Sequence, residues 1–393
     1  MARQAGAQHW PQVSLEGSAS RSKTVIDIGP VENESTRSNF SLGATAGYEV
    51  DLWRKIDARK RGAALDVEVT RETLEATALT LVAHTAKLWY IIIEQKALLD
   101  ILEEQIEVSR TFLELVELRF AQGVASAVEV YQQRQQLAAV EANVPRTNSR
   151  LEVSMHQLAT LLGHPPLEKL AVPANTLPVL PPLPSTGVPA DLLSRRPDVR
   201  AAEFQIVAAD YRVAAAIAER LPSLNLMGNL SYRDEELEDL FDNWLWSIAA
   251  NLVAPVIDGG RRKAEVARAQ SIVRERTHYY AQSIIEALRE VEDALVKERY
   301  QRQYLTQLND RITIAEKNLK ASRRRYVNGQ TDYLSVLTAL QSLQNLQKSS
   351  ITETRTLISI RIELYEALGG SWTQTLEPSK NDKEEIVRLG EIQ

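Results

Sequence analysis

Residues equipped for covalent or metal chemistry are few in this chain, and they are scattered. There is no cysteine among the 393 residues, which excludes disulfides, thiolate metal sites and cysteine nucleophiles. His9, His84, His156, His164 and His278 show no close ligand spacing. The sequence has no phosphate loop, zinc spacing, nucleophile elbow or dinucleotide-binding glycine pattern. Its many glutamates lie in highly charged stretches, where a carboxylate normally does no more than keep a helix face in water. No catalysis and no cofactor is expected. The net charge of −6 also argues against a nucleic-acid partner, which would favour a basic face. The suggestive spacings are conformational. Gly123 is followed three residues later by Ser126, and Gly329 by Asp332. In each pair a residue able to end a helix precedes one able to cap the next.

Those two turns belong to a larger repeat. Trp10-Pro11-Gln12-Val13-Ser14-Leu15 matches Leu221-Pro222-Ser223-Leu224-Asn225-Leu226, and Val50-Asp51-Leu52-Trp53-Arg54-Lys55 recurs as Ile257-Asp258-Gly259-Gly260-Arg261-Arg262. Arg119-Phe120-Ala121-Gln122-Gly123 recurs as Arg325-Tyr326-Val327-Asn328-Gly329, and Leu161-Leu162-Gly163 as Ala367-Leu368-Gly369. The matches keep their order at offsets of about 206 to 211 residues, which is the mark of a tandem duplication.

Each copy opens with strand-like segments. Val13, Leu15, Gly17 and Ala19 alternate with polar residues, as do Phe40, Leu42, Ala44, Ala46, Tyr48 and Val50. In the second copy Leu224, Leu226, Gly228, Leu230 and Tyr232 do the same, followed by Trp246, Ile248, Ala250 and Leu252. Period two marks strands with one apolar face. Runs of about ten residues are long enough to cross a bilayer when tilted, and a soluble hairpin packed on helices fits the same alternation. No unbroken apolar run reaches the roughly 18 residues of a spanning helix, and the start of the chain lacks the apolar core of a secretory signal.

Long helices follow. From Asp51 to Ala121 there is no proline and a single glycine, Gly62; from Arg261 to Asn328 there is neither. At roughly 1.5 Å per residue, about 70 residues make a rod of about 105 Å. Ile284, Leu288, Val291 and Leu295, then Leu305, Leu308, Ile312, Ala315 and Leu319, step as a heptad seam. Leu99, Leu102, Ile106, Leu113, Val116 and Phe120 do so in the first copy, as coiled-coil packing requires. Shorter return helices are expected from Ala127 to Leu162 and from Tyr333 to Leu368, closed by Gly163 and Gly369. The fold class is therefore mainly α with a small β part: long antiparallel coiled-coil helices in a tandem duplication, plus four strands.

This order of parts resembles the TolC-like outer-membrane efflux proteins. Leu192-Leu193-Ser194-Arg195-Arg196-Pro197-Asp198-Val199-Arg200-Ala201-Ala202-Glu203 is similar to the signature of their drug-efflux lipoprotein branch (NodT or OprM type). Leu221-Pro222-Ser223-Leu224 and Pro255-Val256-Ile257-Asp258-Gly259-Gly260-Arg261-Arg262 resemble that branch's flanks of the third and fourth strands. The resemblance implies a homotrimeric α/β channel-tunnel. Each protomer would give four membrane β-strands to one twelve-stranded barrel in outer-membrane lipid, and its helices to a periplasmic α-barrel. It implies a passive conduit for drugs or other small molecules, served by a periplasmic adaptor (membrane fusion) protein and an inner-membrane pump of the RND type. By position, Arg325, Tyr326, Leu334, Ser335 and Thr338 would line the aperture. Gly123, Val124, Ala125 and Ser126, with Gly329, Gln330, Thr331 and Asp332, would form the tips where the adaptor docks. Relatives often place aspartates where this chain has Ser335 or Thr338. Arg21–Ser38 and the acidic stretch from Asp234 to Asp239 would be outward loops.

The expected organisation is a first repeat over 1–163 (strand pair 11–50, hairpin 51–163), with no counterpart before Trp10 of the helix that opens the second copy. A proline-rich connector over 164–190 and a second repeat over 191–372 (helix 197–220, strand pair 221–257, hairpin 258–369) follow, then a tail over 373–393. The competing readings are a soluble coiled-coil scaffold and a truncated, non-functional family member.

Overall fold

A computed structural model of the chain describes residues 2–28, 31–166, 170–183 and 195–370. Residues 184–194, which hold the end of the connector and Leu192–Ser194 of the signature, and the tail 373–393 lie outside the described residues. The chain forms two compact units, Met1–Leu74 with Pro197–Ile284, and Glu75–Arg196 with Ile285–Gln393. Each draws on both sequence repeats.

The first unit contains a four-stranded antiparallel sheet in the order β1-β2-β3-β4: Gln12–Ile28, Val31–Val50, Ser223–Asp234 and Trp244–Val253. Its register places like with like. Leu15 lies opposite Ala44, Ala44 opposite Leu230, and Leu230 opposite Trp246, an unbroken apolar row. One residue along, Ser14, Thr45, Asn229 and Ser247 form a polar row on the other face. The Thr45 hydroxyl donates to Asn229 Oδ1 at 3.4 Å within it. Directly opposed residues share a face, so period two in each strand becomes one apolar and one polar surface. Among the described residues β1 and β4 have no partner on their outer edges, and every residue of β4 is exposed.

The strands correct the expected loop at Arg21–Ser38. β1 and β2 are 17 and 20 residues long and pair Arg21 with Ser38, Lys23 with Thr36 and Ile28 with Val31. The sequence there has no regular period-two alternation, yet backbone pairing continues without it. The acidic stretch does form the connection between β3 and β4. Ahead of β1 stands a helical turn, α1 (Ala2–Gly6), and a 3₁₀ turn at Ala7–His9, where no counterpart of the second copy's helix was expected.

The helices are α2 (Lys55–Ala121), α3 (Ala127–Glu141), α4 (Asn143–Leu161), α5 (Pro197–Ala218), α6 (Arg261–Val327) and α7 (Tyr333–Ala367). The first return helix is interrupted at Ala142 rather than running unbroken to Leu162. Pro145 explains the break: it has no N–H to give the Glu141 carbonyl, and its ring crowds that carbonyl. In the first unit Val213 and Ala216 of α5 pack on Val266 and Ala269 of α6. In the second, Leu88, Ile92 and Ile93 of α2 pack on Leu158 of α4 and on Val172 of the connector. An eighteen-residue stretch of α2 has a mean hydropathy of 1.4, long and apolar enough by length and composition to cross a membrane, although no unbroken apolar run in it approaches that length.

The seams carry polar residues that the heptad reading passed over. On α2 the buried line is Leu102, Gln105, Ser109, Phe112 and Val116, whereas Phe120 is 48% exposed. On α6 it is Ala287, Val291, Ala294 and Glu298. Glu298 accepts from Arg361 at 2.5 and 2.8 Å and from Arg302 at 3.0 Å. Arg361, only 1% exposed, also donates to the carbonyls of Pro181 and Pro182 at 3.2 Å. This buried clasp holds the connector. The Arg-Arg-Pro-Asp run has a physical role as well. Arg196 donates to Glu290 at 2.7 Å and to the carbonyl of Ala367 at 3.0 Å, and Arg200 to Glu72 at 2.6 Å.

Candidate functional site

The two helix-to-helix turns of the second unit gather most of the residues singled out by position. At each, glycine takes a left-handed backbone, with φ +71° at both Gly123 and Gly329. Gly123 N–H donates to Phe120 and Val124 N–H to Arg119, both at 2.9 Å. Gly329 and Gln330 do the same to Tyr326 and Arg325. This is the Schellman arrangement, which satisfies the last carbonyls of a helix. Ser126 then caps α3 through a reciprocal box with Glu129. Asp332 caps α7, accepting from Ser335 N–H at 3.2 Å and from Ser335 Oγ at 2.8 Å. Thr331 donates to Ser335 Oγ at 3.2 Å. Gly123, Val124, Gly329 and Gln330 are exposed, and Ala125 and Thr331 half-buried, so both turns present a short surface of small and polar groups.

The aperture candidates divide. Arg325, Leu334, Ser335 and Thr338 are exposed. Tyr326 is 4% exposed and faces the protomer's own core, with Phe112, Val116, Val130, Tyr333, Val336, Leu337 and Leu340. Its ring meets Tyr333 edge-on at 5.3 Å, and the Arg119 guanidinium lies 4.6 Å from its centroid. Its hydroxyl donates to Glu129 Oε2 at 2.6 Å, so one bond ties the second hairpin to the capping box of the first. Burial first, and then this bond, push the hydroxyl up to about 12. Leu337, not Leu334, is the seam residue; Leu334 is 54% exposed.

Behind the tip runs a polar ladder. The Tyr333 hydroxyl meets Gln133 Oε1 at 2.5 Å, and Gln133 donates to the Ser109 carbonyl at 2.7 Å. Gln136 donates to Gln344 and accepts from Gln341, each at 2.8 Å. Gln105 donates to the Gln344 carbonyl at 3.0 Å. Burial also raises the Tyr333 hydroxyl strongly. Buried amides so paired fix the register of neighbouring helices more sharply than leucines would. Sequence reasoning missed Arg119, Glu129, Tyr333 and the glutamines. The available signal was Ser126-x-x-Glu129, a capping-box spacing, and glutamine recurring at seam intervals. Among the described residues no group of His, Asp and Glu is placed to hold a metal ion.

A model of the outer membrane efflux protein family matches residues 1–164 and 188–370. The pyoverdine export outer membrane protein OpmQ of Pseudomonas aeruginosa is 30% identical over 374 residues, covering 94% of this chain and 79% of its own length. The solvent efflux pump outer membrane protein SrpC of Pseudomonas putida is 26% identical, with 93% and 78% covered. Among solved structures, CusC superposes with a TM-score of 0.86 at 25% identity, covering 94% of this chain and 86% of that one. VceC of Vibrio cholerae gives 0.83 at 26%, covering 94% and 90%. With the sheet, the duplicated hairpins and these likenesses in agreement, the chain belongs to the outer membrane efflux protein family, a channel component of efflux in the outer membrane with a periplasmic extension.

Proposed function

We propose that three copies of this chain close one passive conduit, which an adaptor protein joins to an inner-membrane pump of the RND type. The sheet carries the reading. Four strands with two unpaired edges and an exposed apolar face cannot stand alone in lipid, because each unpaired N–H and C=O there costs several kcal/mol. Pairing β4 of one protomer with β1 of the next, three times over, gives twelve strands from four each and removes every edge. The polar row of Ser14, Thr45, Asn229 and Ser247 then faces the lumen, and the row through Leu15 and Trp246 faces lipid.

In this reading the repeats are 1–163 and 191–372, which the two separately matched stretches support. The turns at Gly123–Ser126 and Gly329–Asp332 receive the adaptor. Arg325, Leu334, Ser335 and Thr338 line the aperture, and Tyr326 holds it from behind through Glu129. With hydroxyls at 335 and 338, the aperture has no carboxylate ring at those positions, and Leu334 supplies its apolar constriction. The cargo is a small organic molecule, as in the pyoverdine and solvent exporters it resembles, with selection left to the pump.

The test is the mass of the detergent-solubilised protein, together with its conductance in planar bilayers. A trimer that forms pores fits the proposal. A monomer in plain buffer that forms none overturns it and favours a coiled-coil scaffold.

A further inference from the structure

The helix-side rim of the sheet, which also holds Glu49, Asp51, Glu219 and Glu265, carries cations whose side chains have no hydrogen-bond or ion-pair partner among the described residues. Val50 of β2 pairs with Leu224 of β3, and Ser223 with Val253 of β4, so these strand ends lie level. Arg54 and Arg220 stand in the connections at that level, and Arg261 and Lys263 open α6. None of the four side chains makes a hydrogen bond or ion pair with the described residues. Neighbouring cations do find partners: Lys55 with Glu49, Arg59 with Glu219, and Arg262 with Asp258 at 3.3 Å. Exposed apolar side chains border the free ones, namely Trp10, Leu52, Trp53, Val253, Val256 and Ile257, the last 93% exposed.

Some of these cations are kept where the local fold disfavours them. Arg54 is the one non-glycine residue with positive φ, at +57°, among the described residues. The residue just before α6, as Arg54 is just before α2, is Gly260 at +85°, one place ahead of the repeat match of Arg54, Arg261. A Cβ makes that backbone costly, and glycine avoids the cost. Helix α6 opens Arg261-Arg262-Lys263 with no acid in its first turn, against the preference of the helix dipole. The charge reverses across the sheet: β3 ends on Asp234, and its connection to β4 holds Glu235, Glu236, Glu238, Asp239 and Asp242. Aromatic and aliphatic side chains beside free Arg and Lys are what a membrane's headgroup layer selects, with rings at the boundary and cations on phosphate.

We propose that this rim binds the headgroups of anionic phospholipids in the leaflet that faces the periplasm. The inference rests on the sheet being the membrane-inserted part of the channel, and it adds a lipid class and the residues that choose it.

The test uses the full chain reconstituted in nanodiscs of phosphatidylethanolamine with a minority of phosphatidylglycerol, and in matched discs with phosphatidylcholine in its place. Native mass spectrometry counts the lipids that stay bound. Wild-type protein should retain phosphatidylglycerol well above its share of the disc. R54G/R220Q/R261Q/K263Q should retain it only at that share, with pore conductance unchanged. The expected loss is about fivefold per cation that reaches a headgroup. R54G alone should unfold at a higher temperature in detergent yet hold less phosphatidylglycerol, a pairing that a merely structural arginine would not give. Equal retention by wild type and the quadruple variant overturns the inference. So does a quadruple variant whose oligomer falls apart in detergent with its lipid retention unchanged, since the cations would then serve a neighbouring protomer. Protein that enters no bilayer of either composition overturns the membrane reading itself.

Discussion

Replacing Tyr326 by phenylalanine removes one hydroxyl and leaves the rest of the tip in place. The ring keeps its edge-on contact with Tyr333 at 5.3 Å and its Arg119 guanidinium at 4.6 Å; only the 2.6 Å bond to Glu129 Oε2 is lost. A hydrogen bond to a charged group contributes about 1.5–3 kcal/mol. Glu129 is half-buried and keeps Ser126 N–H at 3.2 Å on its other oxygen, so water can replace part of what is lost. The low end applies, about 1.5 kcal/mol, or roughly tenfold in the equilibrium that parts the two hairpins. Hydrogen exchange at 122–130 and 326–336 should therefore quicken about tenfold in Y326F, with a higher open probability in planar bilayers. Y333F is the comparison. It strands the buried Gln133 Oε1, at about 1–3 kcal/mol, and should loosen the ladder rather than the tip alone. Exchange at the tip unchanged in Y326F but raised in Y333F would refute the idea that the hydroxyl–carboxylate bond latches the hairpins.

Burial of the Tyr326 hydroxyl, and then the same bond, predict an alkaline transition. The Tyr326 hydroxyl is raised to about 12, above the ordinary phenol value of about 10. Its contribution is therefore complete below about pH 10 and disappears as pH rises through about 12, and the step in tip exchange should be absent from Y326F. Glu298→Ala leaves Arg361, 1% exposed, with the Pro181 and Pro182 carbonyls and the Tyr365 ring but no carboxylate, and should cost about 3–5 kcal/mol in denaturant unfolding. Glu298→Leu with Arg361→Met should recover most of that, and a double variant no better than the single one would discount the clasp. Burial alone would raise the Glu298 carboxyl, but the hydrogen bonds from Arg361 and Arg302 outweigh it and hold it below the ordinary carboxylate range. The clasp is thus intact above the ordinary value of about 4.3 and is lost as pH falls through the depressed one, which acid titration of unfolding should show in wild type and not in the double variant. Gly369→Ala should cost more than Gly123→Ala. Both backbones are left-handed, but a Cβ at 369 meets the Arg195 backbone at 3.1 Å while one at 123 meets open space. The latter should cost about 1–2 kcal/mol, and equal thermal shifts would contradict the difference.

Much of this protein was readable from residue order alone. The strand alternation, the two long helices and the turn glycines with their caps are all local or periodic, and short-range sterics and hydrogen bonding impose them wherever the chain is placed. Four pairs of matched segments at a near-constant offset were enough to order the elements. Other features depended on partners distant in sequence. Arg21–Ile28 and Val31–Ser38 are strand because they pair with each other, although the sequence there has no period-two alternation. Gln105 and Ser109 are seam residues because Gln344 lies against them, Glu298 because Arg361 does. A buried polar residue in one helix reads as a surface residue until its partner is known. Tyr326, placed at the aperture by position, turned out to face inward, because a tyrosine can satisfy either water or a core that offers its hydroxyl a carboxylate. The sequence by itself determined what the elements are and in what order they come. Only the tertiary structure decided which polar side chains are buried and paired, since the energy that permits their burial resides in the contact and in neither residue alone.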